Sequence, residues 1–178
     1  MRGFAAAAIA ILPAFGSGWS DPALSAPTAR WEGLRFLEGG WDAHTAGGTA
    51  TAQGTGTYSF KPELKHHVLV RRSDAAGACK GPADFDCEHS DLLYVYEEPE
   101  SPTLKAIYFD NEGHVIHYDV TTPEASTAVF VSARSDSGPQ YQLIYQLRSG
   151  VMSGKFQLRM PGQSHWKTYL EWSGARRS

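Results

Sequence analysis

The chain has 178 residues, of which 42% are hydrophobic and 20% charged, and its formal net charge at pH 7 is -3. This length fits one domain of ordinary size, and so high an apolar content at so small a net charge excludes an intrinsically disordered chain. An isoelectric point near 6.1 and the absence of a Lys/Arg run argue against a nucleic-acid-binding surface.

The N-terminal segment has the pattern of an export signal. Arg2 precedes an apolar run from Phe4 to Phe15, and three small residues follow at 16–18. The run is shorter than the roughly 20 residues that a membrane-spanning helix needs. It therefore predicts a secretory signal peptide over residues 1–18, with cleavage as late as residue 26 as an alternative. A tail on an intracellular protein is the competing interpretation.

The rest of the chain is predicted to form one domain. We expect a linker over 19–29 and a single domain over 30–178, located in the periplasm or secreted. Within this domain Trp31, Leu34 and Leu37 recur every third residue, which indicates a short helix. The pair Gly39-Gly40 is expected to end it.

From Trp41 onward, short apolar or alternating runs are each closed by turn-forming residues. The connections are too short for crossover helices, so neighbouring strands are expected to pair antiparallel. A meander of about ten strands favours a closed up-and-down barrel over a sandwich, and a barrel of this size can hold one small ligand. The predicted strands are Trp41–Thr45, Thr51–Phe60, Leu64–Ser73, Leu92–Glu97, Leu104–Asp110, His114–Val120, Thr127–Arg134, Tyr141–Arg148, Val151–Met160 and His165–Trp172.

The two cysteines, Cys79 and Cys87, lie in a stretch rich in Gly, Pro and Asp that is read as a loop. Export to an oxidising compartment favours a disulfide between them. A metal site that includes His89 is the alternative, although the spacing matches no known Cys/His zinc pattern.

A family resemblance begins at Gly39-Gly40-Trp41. A short helix that leads into Gly-x-Trp at the first strand resembles the calycins, which include lipocalins and fatty-acid-binding proteins. In those families the tryptophan plugs the closed end of the barrel and a basic residue after the last strand packs over it. The resemblance therefore implies that Gly39, Trp41 and Arg176 close the barrel, with a cation–π contact from Arg176.

A longer resemblance covers about Trp31 to Arg177. The segments Leu93–Tyr96, Ala106–Tyr118 and Lys167–Trp172 resemble bacterial calycin-like proteins of the DUF1579 kind, a family with no settled activity. The expected strand number is nearer to fatty-acid-binding and nitrobindin-like barrels than to the eight strands of a lipocalin.

Candidate ligand-binding residues are mainly tyrosines, because their apolar rings and polar hydroxyls suit a semi-polar lining. Arg71 is a candidate counter-charge for an anionic ligand, and a solvated position is its alternative. Core packing explains the aromatic residues equally well. The full predicted set is Arg71, Tyr94, Tyr108, His117, Tyr118 and Tyr145.

The predicted function is binding of a small hydrophobic or amphipathic molecule, with no catalysis, no metal and no cofactor expected. One alternative is an enzyme in which the hairpin from Asp110 to Tyr118 supplies acid–base groups. Turn formation already explains Asp110 and Glu112, however. Another alternative is haem binding through one histidine, with His165 in a late position as in nitrobindin-like barrels. The sequence leaves the oligomeric state open.

Overall fold

The computed structural model describes residues 27–50, 52–82 and 85–178. The predicted signal peptide and the linker up to residue 26 lie outside these residues. The last residues of the predicted linker begin helix α1 (Pro27–Glu32), which a single 3-10 turn (Arg35–Leu37) follows. A short helix before the first strand is therefore present, as the spacing of apolar residues predicts.

Ten strands follow, and each pairs antiparallel with the next, while the last pairs with the first. The predicted all-β, up-and-down barrel is confirmed. Within the described part of the chain, no helix is long and apolar enough to span a bilayer. The strands are β1 (Gly39–Gly47), β2 (Gln53–Glu63), β3 (Val68–Lys80), β4 (Ser90–Glu97), β5 (Leu104–Asp110), β6 (Val115–Glu124), β7 (Thr127–Ser132), β8 (Gln140–Arg148), β9 (Val151–Arg159) and β10 (Lys167–Ala175).

Strand β3 differs from its prediction at both ends. Leu64 and Lys65 have positive φ angles of 48° and 57°, so they form a turn, and the strand begins only at Val68. At its other end β3 continues to Lys80, because the long strand β2 supplies partners such as Gly54, which lies opposite Cys79. Cys79 therefore lies on a strand rather than in a loop.

The barrel has an even number of strands, so the first strand begins and the last strand ends at the same end of the barrel. Because neighbouring strands run in opposite directions, the turns after β1, β3, β5, β7 and β9 share one end, here called the mouth. The start of β1 and the end of β10 lie at the other end, here called the closed end.

The closed end is built around Trp41, whose side chain is fully buried. Its indole nitrogen donates a hydrogen bond to the Leu37 carbonyl over 2.8 Å. The Arg176 guanidinium carbon lies 4.5 Å from the centroid of the Trp41 ring, and its Nη1 donates to the Glu38 carbonyl over 2.6 Å. Gly39 has a φ of +110°, and a Cβ there would lie 2.5 Å from Arg176 Nη1. The structure thus brings together the three residues that the calycin resemblance assigns to this end.

Aromatic side chains fill the barrel next to the closed end. Phe60 and Phe130 are fully buried. Their rings meet the ring of Tyr145 edge-on, with centroids 5.3 Å and 6.1 Å away. Tyr145 also lines a cavity, so this tyrosine lies between a packed half of the barrel and a hollow half.

Candidate ligand-binding site

The hollow half contains a cavity of about 340 Å³ that opens toward the mouth. Its wall is mainly aromatic and aliphatic, with charged and polar groups that include a single arginine. The lining residues are Arg71, Phe85, Asp86, His89, Asp91, Tyr108, Asp110, Glu112, His114, Ile116, Tyr118, Tyr141, Leu143, Tyr145, Phe156, Leu158, Tyr169 and Trp172. A smaller pocket of about 150 Å³ adjoins it and shares Arg71, Asp91 and Trp172.

Four of the six predicted ligand-binding residues line this cavity, namely Arg71, Tyr108, Tyr118 and Tyr145.

The other two, Tyr94 and His117, lie on the outer face of their strands and do not line this cavity. Successive side chains of a strand point to opposite faces, and the buried Leu93 and Tyr118 take the inward positions next to them. The ring of Tyr94 packs against Phe109, with centroids 6.4 Å apart.

Arg71 is the central charged residue of the site. It comes from β3, is only 6% exposed, and its Nη1 donates to the Asp91 carboxylate of β4. Its guanidinium carbon also lies 5.2 Å from the centroid of the Tyr58 ring and 6.0 Å from that of Tyr145. Burial lowers the pKa of Arg71 and Asp91 raises it, with a net shift upward. Arg71 therefore remains a cation.

Buried hydrogen-bond donors surround this guanidinium. In the described part of the chain, the Arg71 Nε and the Tyr145 hydroxyl are buried without a hydrogen-bond partner. The Trp172 indole nitrogen and the Tyr58 hydroxyl lie near each other, but neither makes a hydrogen bond of ordinary geometry. We call these four residues the donor cluster. Unpaired buried polar groups are rare and destabilising, so the donor cluster is a place where a ligand would complete the structure.

The hydroxyls in this region stay protonated at neutral pH. Burial raises the pKa of Tyr58 to about 12, against the lowering effect of Arg71. Burial also raises the pKa of Tyr145, again against Arg71. Both groups therefore keep a proton that they can donate to a ligand.

His89 connects the inner wall of the cavity to its mouth. Its Nε2 lies 3.1 Å from the Tyr108 hydroxyl and 3.4 Å from an Asp91 carboxylate oxygen. Its Nδ1 lies 3.1 Å from a Glu112 carboxylate oxygen. The hydrogen bond with Asp91 is the main cause that raises the pKa of His89, and Glu112 adds to it. Sequence reasoning missed this arrangement, since it considered His89 only beside the cysteines and began the strand after Asp91.

The hairpin from Asp110 to Tyr118, the alternative acid–base pocket, is dominated by turn contacts. Asp110 accepts hydrogen bonds from the backbone N–H groups of Glu112 and His114, over 3.1 Å and 2.8 Å. The His114 ring nitrogen lies 2.8 Å from the other carboxylate oxygen. Burial raises the pKa of Asp110, but the hydrogen bonds from His114 outweigh it and the pKa is lowered. Asp110 is thus a turn residue that stays ionised.

Three residues at the mouth have a geometry that a metal ion can use. Asp86, His89 and Glu112 each offer one ligand atom, and these atoms lie within 4.8 Å of one another. Asp86 also accepts a hydrogen bond from the Asn111 amide over 3.0 Å. His165, the candidate haem ligand, is exposed between β9 and β10 and does not line the cavity.

The Cys79–Cys87 disulfide positions one side of the mouth. The two cysteines are bonded, with a Cα–Cα distance of 5.7 Å, as the sequence predicts. The bond ties the segment that carries Phe85 and Asp86 to the end of β3, and both of these residues line the cavity. The disulfide therefore limits how far this part of the wall can open.

No protein-family model and no curated protein matches this chain. The closed ten-stranded antiparallel barrel is compatible with a calycin-like fold.

Proposed function

We propose that this protein binds a small hydrophobic or amphipathic molecule inside the barrel and releases it unchanged. The cavity is the observation that carries this proposal. Its volume of about 340 Å³ lies within the range of about 300–1,000 Å³ that is usual for small-molecule sites. Its lining is mostly apolar with a few convergent polar groups, which is the composition such sites have.

The distribution of polar groups favours an amphipathic ligand. Tyr141 and Phe156 stack with their ring planes 11° apart on one wall, and Leu143 and Leu158 add aliphatic surface beside them. Arg71 and the rest of the donor cluster lie toward the packed half of the barrel. A ligand with an apolar body and one polar end fits this division of the lining.

Export and family membership are also part of the proposal. The apolar N-terminal run supports a signal peptide, and the disulfide suits an oxidising compartment. The closed barrel supports a relationship to calycin-like proteins of the DUF1579 kind. Intact mass spectrometry of the protein secreted into the periplasm or medium tests export. A mature chain without residues 1–18, or without 1–26, is expected, and recovery of the unprocessed chain from the cytoplasm only would contradict it.

A titration with N-phenyl-1-naphthylamine, an uncharged probe that brightens when it leaves water, tests ligand binding. We expect saturable binding to the wild-type protein. Ile116→Trp should abolish it, because Ile116 lines the cavity and the indole would occupy the ligand's space. Val115→Trp is the matched control, since Val115 is 55% exposed on the outer face of the same strand. Equal binding by both variants would show that the probe sits outside the barrel.

An enzyme is the second candidate, and the position of His89 is the observation that favours it. A histidine held between Asp91 and Glu112 and in contact with the Tyr108 hydroxyl is equipped to move a proton beside the cavity. Native mass spectrometry can identify a molecule that the purified protein retains. Incubating that molecule with wild type and with His89→Gln, followed by mass spectrometry, tests for turnover that needs the imidazole.

A further inference from the structure

Two N–H groups of the donor cluster, Arg71 Nε and the Trp172 indole, have no hydrogen-bond acceptor of ordinary geometry within the described ranges. Arg71 Nη1 is used by Asp91, whereas Arg71 Nε and the Tyr145 hydroxyl have no partner within the described ranges. The Trp172 indole N–H makes no hydrogen bond of ordinary geometry either. Guanidinium and indole groups can only donate. A ligand whose polar end presents an oxygen or nitrogen lone pair can therefore satisfy these N–H groups, and the Tyr145 hydroxyl can donate to the same atom.

The charges around Arg71 are already balanced. Asp91 pairs with Arg71, and the same carboxylate lies 3.4 Å from His89, which Glu112 contacts from its other side. With His89 protonated, two cations face two carboxylates; with His89 neutral, the group carries one net negative charge. A ligand carboxylate would add an uncompensated charge in a site of low dielectric constant, which is strongly unfavourable.

The mouth of the cavity also disfavours anions. Asp86, Asp110 and Glu112 all line it, and among the described lining residues Arg71 is the only Lys or Arg. An anion that enters the barrel passes these carboxylates before it reaches Arg71. Like charges at the entrance of a cleft lower the local concentration of a charged ligand.

We infer that the ligand of this cavity has an uncharged inner end that accepts hydrogen bonds, such as the oxygen of a ketone, aldehyde or ester, directed at Arg71 Nε and the Tyr145 hydroxyl. This inference rests on the proposed binding function and assigns the chemical class of the ligand. It revises the sequence-based expectation that Arg71 serves as the counter-charge of an anionic ligand. The guanidinium acts here as a donor whose charge Asp91 has already neutralised.

Three naphthalenes of nearly equal shape test the inference by displacing N-phenyl-1-naphthylamine. They are 2-acetylnaphthalene, which carries a ketone, 2-isopropenylnaphthalene, in which CH₂ replaces the oxygen, and 2-naphthoate, which carries an anion. We expect the ketone to bind at least about tenfold more tightly than the other two, because only it accepts hydrogen bonds from a charged and a neutral donor without adding charge.

Two matched tyrosine-to-phenylalanine variants show which hydroxyl group gives the ketone its advantage in affinity. Tyr145→Phe removes one unpaired donor and little else, so the advantage of the ketone over the alkene should fall by roughly fivefold, while the affinity for the alkene stays the same. Tyr94→Phe makes the same change on the outer face of β4, where the Tyr94 ring packs against Phe109, and should leave the advantage of the ketone intact. Neither substitution creates a buried unpaired charge.

The outcomes separate the inference from the function on which it rests. Equal affinity for ketone and alkene, or an advantage of the ketone that Tyr145→Phe does not reduce, overturns the inference and leaves the binding function standing. Tightest binding of 2-naphthoate also overturns it, in favour of an anionic ligand. If N-phenyl-1-naphthylamine itself fails to bind the wild-type barrel, the proposed function fails, and the inference with it.

Discussion

Arg71 and Asp91 form an ion pair inside the barrel in which the two side chains are only 7% and 5% exposed. They come from adjacent strands, β3 and β4, and both line the larger cavity. Burying two charges is unfavourable, and a buried pair commonly contributes less stability than an apolar pair of the same volume. Its presence beside a cavity is more readily explained by binding than by stability.

Removal of one member of this pair should therefore be more harmful than removal of both. Arg71→Met should lower the free energy of unfolding by about 3–5 kcal/mol, because it leaves the Asp91 carboxylate buried without its main partner. The double variant with Arg71→Met and Asp91→Leu should recover a large part of this loss. Urea unfolding of the single and double variants, followed by circular dichroism, measures both effects. Losses that simply add in the double variant would contradict the coupling.

The stability of the protein should depend on the protonation of His89. Its pKa is raised in the folded state above 6.5, first by Asp91 and then by Glu112. A raised pKa means that the protonated form stabilises the fold at pH values below the unfolded pKa. This contribution is lost as the pH rises through the folded pKa.

The melting temperature of wild type should consequently fall more than that of His89→Gln between about pH 5.5 and pH 8.5. His165→Gln is the control, because His165 is exposed and lies outside this network. Parallel pH profiles for wild type and His89→Gln would show that the bridge between Asp91 and Glu112 contributes nothing.

Gly154 keeps the indole of Trp172 in place on the cavity wall. The two residues face each other across β9 and β10, and a Cβ added to Gly154 would overlap the Trp172 ring. Gly154→Ala should therefore push the indole into the cavity and lower stability by about 1–3 kcal/mol. Thermal unfolding and probe titration should both show a loss, whereas Val151→Ala in the same strand should show neither, because Val151 is 48% exposed and does not line the cavity. Unchanged probe affinity in Gly154→Ala would contradict this role of Trp172.

The disulfide should stabilise the fold, and it should also hold the wall of the mouth in its binding conformation. Its cysteines are eight positions apart, and closing so short a loop contributes about 2–3 kcal/mol in the chain-entropy model. Replacing both cysteines by serine should lower the free energy of unfolding by this amount and weaken probe binding, since Phe85 and Asp86 lose their tether. Addition of a reductant to wild type should reproduce both changes and leave the serine variant unaffected. A reductant that acts equally on both proteins would rule out this explanation.

The overall architecture could be predicted because turn residues mark nearly every strand end. The Asp110–Gly113 turn and Ser149-Gly150 lie where the structure reverses direction. The disulfide could be predicted as well, because the chain offers only two cysteines.

The inner and outer faces of β4 were harder to assign, because both faces carry apolar residues. Leu92, Tyr94 and Tyr96 alternate with Leu93 and Val95, so hydrophobicity alone does not identify the inward set. The inward set is identified only by the strand pairing. It places Leu93 opposite Arg71 and Tyr108, and both of these residues line the cavity. The role of Asp91 could not be read locally, since its main partner, Arg71, lies on β3, 20 residues earlier in the chain. The one sequence signal for this role is that Asp91 is an acidic residue in the same register as the inward-facing Leu93 and Val95.

The even number of strands also has a practical consequence. Residues 176–178 follow β10 at the closed end, where Arg176 covers Trp41, and the cavity opens at the opposite end. A tag fused after Ser178 therefore serves as a handle that fixes the orientation of the molecule on a sensor chip. Every immobilised barrel then presents its entrance to the flowing solution, where a candidate ligand can reach it.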